Sequence, residues 1–198
     1  MDYKDLRLQI CQQRKILSKT ELTAHSHEVF KNLLSLPEFQ NAHSIGAYMA
    51  ANGEIETTEL IEYCWQNQKK IYLPKLLANF KMQFCEYSPD DTLVENRYKV
   101  LEPSHMQPED STKFDLVLVP MVAFDDKGHR IGMGAGYYDR HFEYMNTTDS
   151  NKPLLIGIGH SFQKINPIVT QPWDVNMHMI ITELNVTRFK ITKFKIKR

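Results

Sequence analysis

The sequence is poor in the features that mark membrane and secreted proteins. No apolar run approaches the roughly 20 residues that a membrane-spanning helix requires. Residues 1–17 contain no apolar stretch typical of a secretory signal. The three cysteines, Cys11, Cys64 and Cys85, are odd in number and far apart, which fits neither a disulfide framework nor a zinc knuckle. These absences predict a reduced, cytoplasmic protein without a membrane segment.

An excess of charge of either sign is also absent. Lys and Arg together number 24, as do Asp and Glu, so no global field attracts nucleic acid or an anionic membrane surface. The sequence contains no internal repeat and no Gly/Ser-rich linker, and 198 residues are enough for one domain with a substantial core. We therefore predict a single domain over residues 1–198 and no nucleic-acid partner, while the oligomeric state stays open.

Helical and strand patterns alternate along the chain. Apolar residues at helical spacing predict a first helix up to Leu17, and Ser18 with Glu21 forms a capping-box pattern for a second helix that ends near Leu34. A further helix is predicted over 56–70. Short apolar runs at 44–50, 71–74, 82–88, 115–120, 153–159 and 178–183 predict strands. This order predicts an α/β fold, a three-layer α/β/α, Rossmann-like domain around a mainly parallel sheet.

The tail, residues 188–198, alternates apolar with basic residues. This pattern is typical of an edge strand protected by lysines, and equally describes a frayed basic end. We favour the edge strand.

Three of the eight glycines fall within five residues, at Gly132, Gly134 and Gly136. The loop follows the apolar run 115–120 and precedes a predicted helix over 137–145, and amides at such a place can bind an anion. A tight turn explains the glycines equally well. Asp139 can hold a cation next to phosphates, or can stabilise the first turn of the helix as an acidic residue.

The stretch "AFDDKGHRIGMGAGYYDRHF" resembles the signature segment of the 5-formyltetrahydrofolate cyclo-ligase family, also called methenyltetrahydrofolate synthetases. The pattern of that segment is "FD..G.RLG.G.GYYDR". Shorter matches occur in the same order along nearly the whole chain: "KDLR" near the start, "GEIETTELI", "LEP" and "WDVNMHMIITE". One long motif and several short ones in order identify the chain as similar to this family.

The resemblance implies an activity and its co-substrates. Members of the family close the 5-formyl group of 5-formyltetrahydrofolate into 5,10-methenyltetrahydrofolate and cleave ATP to ADP and phosphate. A phosphorylated formyl oxygen is the implied intermediate, and Mg²⁺ is the implied metal. Such a reaction requires a positioned γ-phosphate, a cation and hydrogen-bond donors, with little covalent chemistry from the protein.

The resemblance also implies which residues form the site. The catalytic residues would be Arg130, Tyr138 and Asp139, and Asp139 with Asp174 would hold the metal. The folate would contact Met49, Glu54, Gly134, Gly136 and Tyr137. ATP would contact Tyr3, Lys4, Arg7, Arg130, Gly132, Met133, Gly134, Ala135, Gly136, Tyr137 and Tyr138. Without the resemblance, we would interpret Lys4 and Arg7 as two solvated charges on one helical face. Met49 and the two tyrosines would be core residues, and Asp174 would be an aspartate in a turn.

Four positions depart from the family pattern. Met133 and Ala135 stand in the glycine loop where the family usually has a basic residue and a Lys or Gly, so positive charge is missing beside the phosphates. His178 replaces a usual aspartate and Val122 a common glycine. These departures keep open a non-catalytic nucleotide- or folate-binding relative with the same fold. A sugar-phosphate isomerase does not explain the cluster of matches, and we predict the cyclo-ligase.

Overall fold

The computed structural model describes residues 2–147 and 153–190. Its α-helices are α1 (Tyr3–Ile16), α2 (Lys19–Leu34), α3 (Pro37–Gln40), α4 (Thr58–Gln66) and α5 (Tyr137–Phe142). The Asp2 side chain caps α1, and Ser18 and Glu21 form a complete capping box at the start of α2. The first two predicted helices are therefore confirmed, together with the cap that separates them.

An eight-stranded mixed sheet forms the centre of the fold. Twelve strands are described: β1 (Ser44–Gly46), β2 (Lys70–Leu76), β3 (Met82–Glu86), β4 (Leu93–Glu95), β5 (Leu101–Pro103), β6 (Pro108–Glu109), β7 (Leu116–Pro120), β8 (Ala123–Phe124), β9 (Arg130–Ile131), β10 (Leu154–Ile158), β11 (Met179–Ile181) and β12 (Val186–Arg188). The sheet order is β12-β11-β10-β7-β1-β2-β3-β6, while β4-β5 and β8-β9 are separate two-stranded ribbons.

The five central strands β11, β10, β7, β1 and β2 run parallel, and antiparallel strands close both edges. The predicted α/β fold is confirmed. One antiparallel edge strand is β12, which pairs with β11 and includes, of the tail, only its first residue, Arg188. Residues 191–198, which make up most of the predicted basic strand, lie outside the described residues. No helix among residues 2–147 and 153–190 is long and apolar enough to cross a membrane.

The two faces of the sheet are covered unequally. On one face α2 and α4 bury Leu33, Ile61 and their neighbours against central strand residues such as Leu116 and Ile156. The other face buries Phe84, Val117 and Leu155 under the short helix α5 and the loops near it. The layered arrangement is therefore α/β/α in outline, with a thin third layer.

Helix α1 lies on neither face but at the carboxyl end of β7. Leu6 and Ile10 pack against Val122 and Ala123, which follow β7, and against Ile131 of β9. The predicted strand over 44–50 is shorter than expected: β1 ends at Gly46, and the chain then turns through Asn52 and Gly53, both with φ above +50°. The predicted helix over 137–145 divides into α5 and a 3₁₀ turn from Glu143 to Asn146. Both departures shape the carboxyl end of the sheet, where ligands bind in open α/β folds.

Candidate active site at the carboxyl end of the sheet

A cavity of about 370 Å³ opens at the carboxyl end of the central strands. Its walls come from segment 48–54, the end of β2 with Met82, the β4-β5 ribbon, segment 120–122 and the glycine loop 132–136. The lining is mainly apolar, with a few polar groups that converge on it, as is usual for small-molecule sites. The cavity is the candidate functional site.

The glycine loop connects β9 to α5, and glycine is present at its three positions for different reasons. Gly134 and Gly136 have φ of +102° and +67°, a region that favours glycine. Gly132 does not have such a positive φ. Within the described part of the chain, a Cβ built on Gly132 meets no heavy atom within 4 Å. The protein itself therefore imposes no steric need for glycine at 132, whose open side faces the surroundings of the cavity. Close approach of a ligand is the remaining reason for a glycine there.

Helix α1 brings a positive charge to this loop. The Arg7 Nε donates to the Gly132 carbonyl at 2.7 Å, and a Cβ on Gly134 would stand 3.4 Å from the Arg7 guanidinium carbon. A second guanidinium, that of Arg140, donates to the Ala135 carbonyl on the other side of the loop. Two arginines therefore bracket the loop. They supply positive charge that the loop's own side chains lack.

The two loop residues that depart from the family pattern have ordinary surroundings. Met133 is 60% exposed, and its sulfur lies 3.9 Å from the Cys11 sulfur of α1. Ala135 lines the cavity. Both side chains are uncharged, so the departures lower the charge of the loop.

Arg130 and Asp139 form an ion pair beside the loop. The Arg130 Nη1 donates to Asp139 Oδ1 at 2.8 Å and to the Val175 carbonyl at 3.1 Å. The Arg130 side chain is only 5% exposed. Asp139 Oδ1 also accepts from the Val175 backbone N–H at 3.3 Å. Arg130 is thus held at the cavity wall in a fixed position by protein groups.

A second carboxylate, Asp174, lies close enough to interact electrostatically with Asp139. Burial raises the pKa of Asp174, and the negative charge of Asp139 raises it further, while the backbone hydrogen bond from Gln171 and the charge of Arg130 lower it. Its Oδ2 accepts from the Gln171 N–H at 2.8 Å. Two carboxylates with mutually unfavourable charge are the donor set of a hard divalent cation, so these residues fit Mg²⁺.

Glu54 stands on the opposite wall at the end of the turn formed by Asn52 and Gly53. Its Oε1 lies 3.3 Å from Nη1 of Arg14, and its Oε2 accepts from the Ala51 N–H at 3.1 Å. Burial raises the pKa of Glu54, while the positive charge of Arg14 and the Ala51 hydrogen bond oppose that shift. The side chain retains 17% of its exposure, and this open part belongs to the cavity.

The two tyrosines after the loop differ in their partners. The hydroxyl oxygen of Tyr138 is buried at the cavity and has no hydrogen-bond partner among residues 2–147 and 153–190. Burial raises the pKa of Tyr138, and the charge of Glu54 adds to the shift, so the hydroxyl stays protonated. Tyr137 instead accepts a hydrogen bond from Arg97, whose guanidinium stacks on the Tyr98 ring at 5.0 Å. An unpaired buried hydroxyl is costly, so Tyr138 is suited to bond a ligand.

Most of the residues implied by the resemblance meet at this cavity. Met49, Glu54, Arg130, Gly132, Met133, Ala135, Gly136, Tyr137, Tyr138 and Asp139 line it. Gly134 and Arg7 lie directly beside it through the loop. Among the residues implied by the resemblance, Tyr3, Lys4 and Asp174 do not line the cavity. The Tyr3 hydroxyl donates to the Val169 carbonyl at 3.0 Å, which anchors α1, and the Lys4 side chain is exposed.

Sequence reasoning missed the β4-β5 ribbon, which contributes Asn96, Tyr98, Val100 and Leu101 to the cavity. The turn of this ribbon, "NRYK", combines an aromatic with basic residues and has Lys99 at φ +59°. Those letters are the only signal that the sequence offers for it. The other two departures have structural roles: Val122 packs under α1, and the His178 ring accepts from the Leu155 N–H at 3.0 Å between β10 and β11.

Comparisons with known proteins identify the family to which the chain belongs. The 5-formyltetrahydrofolate cyclo-ligase family matches residues 2–183 of this chain. The 5-formyltetrahydrofolate cyclo-ligase of Escherichia coli (strain K12) is 29% identical over 182 residues, which cover 89% of this chain and 98% of the relative. That of Haemophilus influenzae is 33% identical over 178 residues, 85% of this chain and 92% of the relative.

A solved structure is similar over almost the same length. The 5,10-methenyltetrahydrofolate synthetase of Aquifex aeolicus superposes with a TM-score of 0.81 at 30% identity, covering 98% of this chain and 96% of that one. Sequence and fold therefore lead to the same group of ligases. The chain belongs to the 5-formyltetrahydrofolate cyclo-ligase family.

Proposed function

We propose that this protein converts 5-formyltetrahydrofolate into 5,10-methenyltetrahydrofolate and cleaves ATP to ADP and phosphate. The observation that carries the proposal is a cavity with two unlike walls. One wall offers a buried carboxylate, Glu54, and the other offers the glycine loop with its two flanking arginines. A carboxylate suits the amine and N–H donors of a pterin, and exposed amides with guanidinium groups suit phosphates.

The proposed reaction has two steps. The formyl oxygen attacks the γ-phosphorus, the bond from that phosphorus to the bridging oxygen breaks, and ADP leaves. Nitrogen 10 then attacks the activated formyl carbon, its proton departs, and the carbon–oxygen bond breaks to release phosphate. Arg7, Arg140 and the amides of the glycine loop bind and orient the phosphates in this proposal. Because the chemistry is carried by the two substrates, positioning and charge stabilisation account for the protein's part.

On the folate wall, Glu54 accepts hydrogen bonds from the pterin and the Met49 side chain packs against its ring. The Tyr138 hydroxyl, which lacks a described partner, donates to the bound substrate. Tyr98 of the β4-β5 ribbon closes the same side of the cavity, where it excludes water from the reacting atoms.

Asp139 and Asp174 hold Mg²⁺ in this proposal. When bound, Mg²⁺ neutralises the charge that develops on the phosphate oxygens. Arg130 orients Asp139 through the 2.8 Å ion pair. The electrostatic repulsion between Asp174 and Asp139 supports the assignment, because a cation held between the two carboxylates would relieve it.

The test is a spectrophotometric assay for methenyltetrahydrofolate, with the complete mixture compared against mixtures that lack ATP or Mg²⁺. We expect product only in the complete mixture. Product without ATP would overturn the coupled mechanism. No product under any condition, with retained binding of folate or nucleotide by calorimetry, would favour the non-catalytic relative.

A further inference from the structure

Two histidines and a glutamate lie close together behind the cavity. The proposed reaction does not use these three residues. His25 lies in α2, His160 follows β10 and Glu183 follows β11. Each offers one ligand atom, and these three atoms lie within 4.8 Å of one another. The Nδ1 atoms of the two histidines are 3.0 Å apart. His160 is fully buried, whereas His25 and Glu183 are half-buried.

We propose that His25, His160 and Glu183 form a binding site for a borderline divalent metal ion, with Zn²⁺ as its probe. Two imidazole nitrogens and one carboxylate are a common ligand set for such ions, and leave one coordination position open. Hard Mg²⁺ prefers oxygen ligands, which separates this site from the Asp139 and Asp174 pair.

The surroundings of the three residues orient them as metal ligands. The His160 Nε2 faces the Gly53 carbonyl at 3.0 Å, and because a carbonyl only accepts, that nitrogen carries the proton. The Nδ1 of the neutral His160 ring therefore carries no proton. Glu183 is oriented by Ser161, whose N–H donates to Oε2 at 2.9 Å and whose hydroxyl donates to Oε1. Ligating histidines and carboxylates in proteins carry this kind of supporting hydrogen bond.

The hydrogen bond between the two histidine rings also agrees with ligation. With His160 Nδ1 as acceptor, His25 donates from its own Nδ1. Metal binding requires only that this proton move to the other nitrogen of the His25 ring. No proton has to leave a buried cation.

Small movements would complete the site. Tetrahedral Zn²⁺ with bonds of about 2.0–2.1 Å keeps its nitrogen ligands about 3.3 Å apart, so the two Nδ1 atoms separate by a few tenths of an ångström. The Glu183 oxygen, which lies within 4.8 Å of the two nitrogens, would move toward them to reach a similar spacing. The ion would join α2 to the ends of two central strands, and through His160 it would also fix the Gly53 carbonyl next to Glu54.

The test titrates Zn²⁺ into the full chain after removal of metals with a chelator. Calorimetry is expected to show one Zn²⁺ per chain, and Zn²⁺ is expected to raise the melting temperature. His25→Gln and Glu183→Gln should each weaken binding at least about tenfold. His27→Gln is the matched control, because His27 lies on the same helix with an exposed ring next to Glu59. It should bind Zn²⁺ as wild type does.

A second measurement is independent of the variants' stability. In a histidine-ring NMR spectrum of the wild-type protein, Zn²⁺ should shift the His25 and His160 resonances and leave those of His27 in place. Absence of both a calorimetric signal and these shifts would overturn the site. Equal loss of binding in the His27 control would overturn it as well, because the ion would then bind elsewhere on α2.

Discussion

At the scale of single residues, Glu54 separates the two substrates of the proposed reaction. Glu54→Gln keeps the size of the side chain and removes charge-assisted hydrogen bonds, which contribute about 1.5–3 kcal/mol each. Steady-state kinetics should therefore show a folate KM raised at least about tenfold, with the ATP KM nearly unchanged. Glu56→Gln is the control, since Glu56 is an exposed neighbour. A raised ATP KM with an unchanged folate KM would contradict the assignment of Glu54.

The pH dependence of folate binding follows from the raised pKa of Glu54, which burial causes. Protonation removes the charge that binds the pterin, so binding is present above the pKa and lost as pH falls through it. The loss should begin at a higher pH than the value of about 4.3 typical of an exposed glutamate. Folate KM measured from neutral to acid pH checks this, and Glu54→Gln should flatten the profile. A wild-type profile as flat as that of the variant would contradict the prediction.

Asp139→Asn should lower turnover by about 10², or roughly 2.7 kcal/mol of transition-state stabilisation. The variant retains shape but loses one of the two carboxylates proposed to hold Mg²⁺, together with the charge that Arg130 pairs. Turnover at limiting Mg²⁺ is the measurement, with the melting temperature as the check on folding. Asp126→Asn, at an exposed aspartate, is the control. Turnover within about threefold of wild type would leave Asp139 as a helix-start residue only.

Side-chain contacts between distant parts of the chain were the hardest feature of the site to predict from the sequence. The motif brings Arg130, Tyr138 and Asp139 to one place, as the resemblance implies. The position of Arg130 and Asp139 also depends on Val175, which lies 45 positions after Arg130 and 36 after Asp139 and bonds to both. Local spacing carries no information on such a partner. The phosphate role implied for Arg130 stays a prediction.

At the scale of elements, the glycine loop offers a test that separates ligand binding from folding. Gly132→Val adds a side chain where the described protein has open space, so the free energy of unfolding should change by no more than about 0.5 kcal/mol. ATP affinity measured by calorimetry should fall at least about tenfold, because the side chain occupies the approach to the loop amides. Gly134 is less suitable, since its φ of +102° strains any side chain.

Gly46→Val is the contrasting control for Gly132→Val. A Cβ at Gly46 would stand 2.8 Å from a Val117 methyl in the core, so that variant should lose about 1–3 kcal/mol of stability. The expected result is a crossed pattern, with binding lost in one variant and stability in the other. Unchanged ATP affinity in folded Gly132→Val would remove the loop from the phosphate site.

Long, strongly patterned elements were predictable, and short ones were not. The capping box at Ser18 and the continuous apolar run of β7 are local signals, and both stand in the structure. The ribbon strands β4 and β5 have three residues each, too few for an alternating pattern. The run 44–50 is apolar throughout, but only its first residues pair in the sheet. The remainder is apolar because it packs in the core or lines the cavity.

At the scale of the whole molecule, Arg14 joins α1 to the folate wall. Its side chain is 1% exposed and contacts Glu54 at 3.3 Å and the Cys11 sulfur at 3.4 Å. Arg14→Gln leaves a buried carboxylate without its counter-charge and should destabilise the protein by about 3–5 kcal/mol. Urea unfolding is the measurement, and Lys15→Gln, on the exposed side of α1, should change stability by at most about 0.5 kcal/mol. Equal stability of both variants would show that Arg14 is dispensable.

The α/β class was predictable because helices and strands alternate along the chain, which is typical of that class. The position of α1 was not, because its amphipathic pattern does not say which surface it covers. Its partners, Val122 and Ile131, lie more than 100 residues away in sequence. The single domain over residues 1–198 and the cytoplasmic location stay predictions.

The docking of α1 has a consequence for synthesis on the ribosome. The loop partner of Arg7, Gly132, is made 125 residues after it. At about 5–20 residues per second, α1 waits roughly 6–25 s for that partner. During this time Leu6 and Ile10 lack the segment that they cover in the folded chain, and the proposed phosphate site is incomplete. Chaperones therefore have a defined interval in which to bind the growing polypeptide, which ends when the segment after β7 emerges.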